Sequence, residues 1–400
     1  MKRLSRELQT KTFKFPPARG VRIPKDKKDK ANFRPLVVAK VEARIVQRAI
    51  HDVLISIPAI QTYIKTPYSF GGVKKLKSEE IAAVPAAIHA VLEAIGNGAD
   101  FIIRSDITSF FTRIPKSTVT KIVANAVSDN EFLTLFEQAI AVELENMAQL
   151  RGHAKAFPIE DIGVAQGNSL SPLLGNLILY DFDRELNKKP DVRCIRYIDD
   201  FIILAPSKEI AENTFSKAKH LLAKHSMSVS EAKTQRAQVK HGFDFLGIDI
   251  SNGLLRPDKK SQRRMMESVK ATLHESRKAM RAHKTPEGFH PSKSLLSSLR
   301  KASGIMQGWG KHYRFCNDAE CLRRLDGEVT ILLREYLAAY RQEREKANDA
   351  DRWKLLGVES LAAMELTPFL WPKRGEKPSL KMNEETLSII QAIDPDSAPW

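Results

Sequence analysis

Tyr197-Ile198-Asp199-Asp200 lies between two apolar runs, Cys194-Ile195 before it and Phe201-Ile202-Ile203-Leu204 after it. A hydrophobic segment broken by two acids predicts a β-hairpin with the acids at its turn, where Asp tolerates positive φ. Adjacent carboxylates repel, so a pair fixed at such a turn calls for cations. A solvated surface turn that happens to carry Asp-Asp is the plainer alternative.

Phe101-Ile102-Ile103-Arg104-Ser105-Asp106 is a second apolar strand that ends on an acid, followed by a short turn carrying Phe110 and Phe111. Between the strands, Ala165-Gln166-Gly167-Asn168-Ser169-Leu170-Ser171-Pro172 combines a glycine that lets backbone approach a ligand with a proline suited to open a helix. Two-metal phosphoryl transfer needs a few carboxylates converging on paired Mg²⁺. Mg²⁺ accepts carboxylate and phosphate oxygens and keeps some water, so Asp106 and Asp199 with a triphosphate would suffice as bridging ligands, Asp200 lying beside them.

A strand ending in Asp, a Gln-Gly-x-x-x-Ser-Pro turn and then Tyr-x-Asp-Asp is an order that resembles the reverse transcriptases, specifically their prokaryotic, group II intron-like branch. Arg22-Ile23-Pro24-Lys25, Arg34-Pro35-Leu36-Val37-Val38 and Arg44-Ile45-Val46-Gln47 look like that family's fingers. Pro67-Tyr68-Ser69-Phe70-Gly71 is similar to its segment between fingers and palm. Ser228 to Thr234 and Gly242 to Gly247 resemble the palm elements that follow the catalytic hairpin, and Gly308-Trp309-Gly310-Lys311-His312-Tyr313 resembles the intron-type thumb.

The resemblance implies an α+β, right-hand polymerase fold. Fingers would occupy 1–100, with the first palm elements near their end. An antiparallel-sheet palm with inserted helices would fill 101–255, a helical thumb 256–346 and a C-terminal extension 347–400. It also implies an RNA-directed DNA polymerase. Asp106, Asp199, Asp200 and the Ile107 carbonyl would hold two Mg²⁺ ions, with Mn²⁺ as substitute, and Lys233 would protonate the departing pyrophosphate. Lys27, Arg34, Lys40, Phe110, Phe111, Gln166 and Gly167 would meet the incoming dNTP. Phe111, five residues after Asp106, would exclude a ribose 2′-hydroxyl by bulk. Arg44, Tyr197, Phe245, Leu246, Gly247, Trp309 and Lys311 would contact nucleic acid, although packing within the thumb is the stronger reading of Trp309. A structured non-coding RNA as template, a DNA product and a role in antiviral defence are the partners and setting that compact enzymes of this branch suggest. Other protein partners and self-association stay open. An RNA-binding maturase or scaffold that polymerises little is the alternative of a different class.

The formal charge is +16, and its distribution is more telling than its sum. Residues 1–48 carry 15 Lys/Arg against 4 acids and residues 256–344 carry 20 against 10, so the remainder is net acidic. Basic walls around an acidic floor suit a nucleic-acid cleft; ordinary solvated helices are the competing account. The three cysteines give neither a disulfide framework nor metal-ligand spacing, and Cys194 reads as a small apolar residue. The chain lacks an apolar run of about 18 residues and an apolar core at its start, which fits a reducing cytoplasm and no membrane.

Periodicity predicts an amphipathic helix from Val41 to Ile57, stopped by Pro58, with Val41, Ile45, Ala49, Val53 and Ile57 as its apolar face. Helices are also expected from Pro85 to Gly96, twice within 117–150, from Ser171 to Leu186 and from Ser207 to His225. Three more are expected after residue 256. The last fifty residues are weakly patterned and carry no endonuclease signature.

Overall fold

The computed structural model describes residues 2–25, 32–72, 83–283 and 289–361, with short pieces at 364, 366, 369–370, 373–375 and 379–380. The chain forms two units. One runs to Asp258 and reclaims Phe315–Asp318; the other takes Lys259–Arg314 and the chain from Ala319 onward.

The first unit begins with α1 (Lys2–Gln9) and the antiparallel pair β1 (Arg19–Pro24) and β2 (Phe33–Val38), registered from Arg19 opposite Val38 to Pro24 opposite Phe33. Helices α2 (Val41–Leu54), α3 (Pro58–Ile64) and α4 (Val84–Gly96) follow. The expected helix to Ile57 ends early, and Pro58 opens α3, where its fixed φ suits a first turn. Its expected apolar face is also wrong. Val41 and Val53 are 66% and 47% exposed, whereas Ala43, Val46, Gln47, Ile50 and Leu54 are buried. Both stripes of α2 are largely apolar, so periodicity alone could not choose between them.

Strand β3 (Phe101–Asp106), a 3₁₀ turn over Phe110–Arg113, and helices α5 (Lys116–Ala124), α6 (Asn130–Ile140) and α7 (Met147–Leu150) come next. The Asp129 carboxylate caps α6 by accepting from the Glu131 and Phe132 amides. The single helix expected from Ser171 to Leu186 breaks at the fully buried Leu179 into α8 (Ser171–Ile178) and α9 (Tyr180–Leu186). The catalytic-hairpin candidates β4 (Arg193–Tyr197) and β5 (Asp200–Ala205) precede α10 (Lys208–Ala223) and β6 (Gln235–Gln238). These strands form an antiparallel sheet in the order β4-β5-β3-β6. β5 is buried along Phe201–Ala205 and β3 along most of its length, because α10 packs on β3 and β5 while α4 and α9 pack on β4. A second antiparallel sheet joins β7 (Phe243–Phe245), β8 (Ile248–Ser251) and β9 (Leu254–Pro257).

The second unit holds α11 (Lys259–Arg281), α12 (Leu295–Tyr313), α13 (Ala319–Lys346), α14 (Asp349–Leu356) and the short pair β10 (Phe369–Leu370) and β11 (Ser379–Leu380). Met265, Val269, Leu273, Leu325, Val329 and Tyr336 form its core. The antiparallel sheets and separate helices match the expected α+β class. No helix among the described residues is long and apolar enough to cross a membrane.

Ile203 has no exposed surface and lies opposite Ile103, so it ties the strand bearing Asp200 to the strand bearing Asp106. Ile203→Ala should lower unfolding free energy by about 2–5 kcal/mol. A denaturant midpoint that does not move would contradict this packing.

Candidate active site

The sheet register brings the separated acids together. Asp106, the last residue of β3, lies opposite Asp200, the first residue of β5. The Ile107 amide donates to the Asp199 carbonyl at 3.0 Å. Tyr197 lies opposite Asp200, which leaves Ile198 and Asp199 as the turn. The left-handed residue is Ile198, at φ 59°, and not an aspartate as the sequence suggested. A β-branched residue in that region persists only where its surroundings impose it.

Asp106 is 7% exposed, and its two oxygens have different environments. Oδ2 pairs with the Lys233 ammonium. Oδ1 is buried and has no hydrogen-bond partner. Burial raises the Asp199 carboxyl above the usual range, with the Asp106 charge adding to the effect and Lys233 and Arg34 opposing it. Burial and the neighbouring Asp199 push Asp200 up to about 6, against the pull of Arg104. An orphaned buried oxygen beside two strained carboxylates is a donor set that fits a hard divalent cation. No three His, Cys, Asp or Glu side chains among the described residues form a ready-made cage. Mg²⁺ is usually held by one or two carboxylates together with substrate phosphate.

Four predicted contact residues share a cavity of about 830 Å³, lined by Arg44, Gln47, Phe111, Gln166, Gly167 and Ser169 among others. The Val37 amide donates to the Gln166 carbonyl, fixing this loop against β2. Gly167 has φ 102°, and a Cβ there would come within 3.1 Å of Leu36, so glycine is required. Lys40 is not among the lining residues and pairs with Glu145 at 3.3 Å. Arg34 is exposed on β2 but acts on Asp199. Lys27 lies outside the described residues.

Other expectations need correction. Phe110 is 2% exposed and packs against Gly175 in the core, so only Phe111 faces the cavity. The Phe245 side chain is fully buried; the Leu246-Gly247 turn beside it, with φ 51° and 80°, is what that hairpin can present. Trp309 packs on Tyr313, ring centroids 4.8 Å apart and planes tilted by 47°, and its Nε1 donates to Ser261 Oγ, so it serves packing within the second unit. Lys311 is exposed on α12. Cys194 is fully buried, and burial pushes its thiol well up, as a small apolar residue would suggest. Sequence reasoning missed Arg196, Asp183 and Asn176, which are buried directly beneath the acid hairpin. The available signal was an arginine inside an apolar strand, since a buried charge demands a partner.

A family model described as reverse transcriptase (RNA-dependent DNA polymerase) matches residues 23–250, more than half of the chain. Protein YkfC of Escherichia coli (strain K12) is 26% identical over 266 residues, covering 58% of this chain and 66% of that protein. The putative COX1/OXI3 intron 2 protein of Saccharomyces cerevisiae (strain ATCC 204508 / S288c) is 22% identical over 400 residues, covering 85% of this chain and 43% of that protein. The putative intron 1 protein of the same yeast is 25% identical over 242 residues, covering 60% and 25%. The chain therefore spans from a quarter to just under two thirds of the length of these curated relatives. Apo telomerase from Candida tropicalis, truncated from its C-terminal domain, shares 14% identity at a TM-score of 0.44, covering 61% of this chain and 55% of that one, too loose a likeness to carry argument.

The Asp200 shift has a consequence for stability. Its folded carboxyl titrates near 6 against an ordinary 3.8, so this group favours the folded state at low pH. That contribution is lost as pH rises from about 4 to about 6. Without divalent cations, Asp200→Asn should therefore be more stable than the parent at pH 7.5 by about 1–3 kcal/mol. The advantage should vanish by pH 4. Thermal unfolding at both pH values checks this, and an equal difference at both would contradict it.

Proposed function

The chain belongs to the reverse transcriptase family, and from that premise we propose that it is an RNA-directed DNA polymerase whose centre is Asp106, Asp199 and Asp200. The observation that carries this is the register that sets Asp106 against Asp200, beside Asp199, with the buried Asp106 Oδ1 left unpartnered. In the reaction, a primer 3′-hydroxyl oxygen bonds to the α-phosphorus of a dNTP. The bond from that phosphorus to the β-phosphate bridging oxygen breaks, the hydroxyl proton passes to solvent water and pyrophosphate leaves. Two Mg²⁺ ions, when bound, would supply the positive charge that the attacking and leaving oxygens need.

The residues of the chain position and select. Asp106, Asp199, Asp200 and the Ile107 carbonyl would hold the ions, while Arg34, with Lys27, would steady the triphosphate. Gln166 and Gly167 would border the nascent pair, and Phe111 would stand against the sugar. Lys233, whose ammonium pairs with Asp106, would neutralise the acids and give a proton to the departing pyrophosphate. The same reading takes a structured non-coding RNA as template, a DNA product and an antiviral role in the cytoplasm. Its support there is the resemblance to compact prokaryotic enzymes of this family. Sequencing the nucleic acid that copurifies should show DNA complementary to one recurrent RNA; unrelated sequences would overturn that extension.

On an RNA template with a DNA primer, Asp199→Ala and Asp200→Ala should each lower Mg²⁺-dependent dNTP incorporation by at least about a hundredfold. A variant that retains the parent rate removes the site. Phe111→Val should raise use of rNTPs relative to dNTPs by about 10–100-fold, read from competing incorporation.

A further inference from the structure

We infer that Arg196, together with Asp183 and Asn176, is a positioning residue that sets the direction of Asp199 towards its cations. Arg196 has no exposed surface and Asp183 is 1% exposed. The guanidinium grips Asp183 bidentately, Nε to Oδ1 at 2.7 Å and Nη2 to Oδ2 at 2.5 Å. Nη1 donates both to Asn176 Oδ1 at 3.1 Å and to the Ile198 carbonyl at 2.9 Å. That last carbonyl belongs to the peptide that enters Asp199.

The opposite side of the turn is equally confined. The Arg196 backbone pairs with the Tyr68–Phe70 segment through Arg196 N to Tyr68 O and Phe70 N to Arg196 O. Asn176 ties that segment down, accepting from Ser69 Oγ at 3.2 Å and donating from Nδ2 to the Gly71 carbonyl at 3.0 Å. Gly71 lies so close to the hairpin that a Cβ there would fall 2.6 Å from the Ile198 amide nitrogen. On the far side of Asp199, its carbonyl accepts from Ile107. Ile198 thus sits at φ 59°, a conformation costing about 1–3 kcal/mol for such a residue, with its carbonyl hydrogen-bonded by Arg196 and the Gly71 backbone packed close beside it.

Stability alone does not account for this arrangement. Replacing a buried ion pair with apolar side chains of similar volume is often neutral or stabilising. What an apolar pair cannot provide is a donor to the Ile198 carbonyl. Groups that orient cation ligands typically change metal affinity by about 10–100-fold when removed.

The inference rests on the proposed centre for its activity arm and on cation binding alone for its other arm. The test compares Arg196→Met/Asp183→Leu with the parent. The double variant should unfold within a few degrees of the parent and bind an RNA–DNA template–primer equally well. It should nonetheless need about tenfold more Mg²⁺ for half-maximal incorporation, with kcat reduced and KM for dNTP little changed. Mn²⁺ binding, followed by electron paramagnetic resonance without nucleotide, should weaken by a similar factor. Gly71→Ala, which leaves the ion pair intact but crowds Ile198, should weaken Mn²⁺ binding in the same way and decides the matter if the double variant does not fold. Parent-like Mn²⁺ affinity in the folded variants would reduce the cradle to a structural role and overturn the inference. A parent that incorporates no dNTP, yet loses Mn²⁺ affinity on these substitutions, would keep the cradle and sink the polymerase reading.

Discussion

Like-charge repulsion among Asp106, Asp199 and Asp200 is the constraint around which the first unit is organised. Two unit charges about 4 Å apart interact by roughly 4 kcal/mol at the effective dielectric of a protein surface. Water would relieve much of that, but the strands carrying these acids are buried along most of their length. The fold offsets the repulsion only in part, with Lys233, Arg34 and Arg104 as neighbouring positive charges. Burial, with that imbalance added to it, leaves an Asp200 carboxyl pushed up to about 6 and an Asp106 oxygen without a partner. Both are what a cation site looks like before the cation is considered.

Left-handed backbone also shapes turns of the two sheets in this unit. Ser109 follows β3 at φ 52°, Ile198 closes the hairpin at φ 59°, and Leu246 begins the β7–β8 turn at φ 51°. None of these is glycine, so each conformation is imposed by packing and hydrogen bonds rather than by local preference. Ser109 shows the benefit of such an imposition. It redirects the chain from β3 into the 3₁₀ turn that buries Phe110 in the core and turns Phe111 to the cavity. Two adjacent and chemically identical residues thus differ, Phe110 inside the core and Phe111 half-buried at the cavity wall.

This explains what could be read from the sequence and what could not. Asp106, Asp199 and Asp200 were legible because each interrupts or ends an apolar run, and a polar residue there needs a reason. The α+β class came with the family resemblance that those motifs carry. The choice between Phe110 and Phe111 was not legible, because no periodicity operates over a tight turn. Nor was the buried face of α2, where the stripe Val46, Ile50, Leu54 competes with Val41, Ile45, Val53 and tertiary packing decides. Arg196 was hidden by the acids beside it. Its partner Asp183 lies on another element, α9, so only the packing of α9 on β4 joins them.

Two positive charges at the hairpin show how one kind of interaction serves opposite purposes. The Lys233 side chain is 69% exposed where it meets the buried Asp106, so its ammonium keeps much of its water in the pair. A counterion still solvated gives way to another cation at less cost than a desolvated one. Breaking the Arg196–Asp183 pair, both members fully desolvated, would instead cost about 3–5 kcal/mol by leaving an uncompensated buried charge. The exposed ammonium is therefore a replaceable counterion and the buried guanidinium a fixed one. A cation-binding centre of the kind proposed would use both: a charge that yields and a charge that does not.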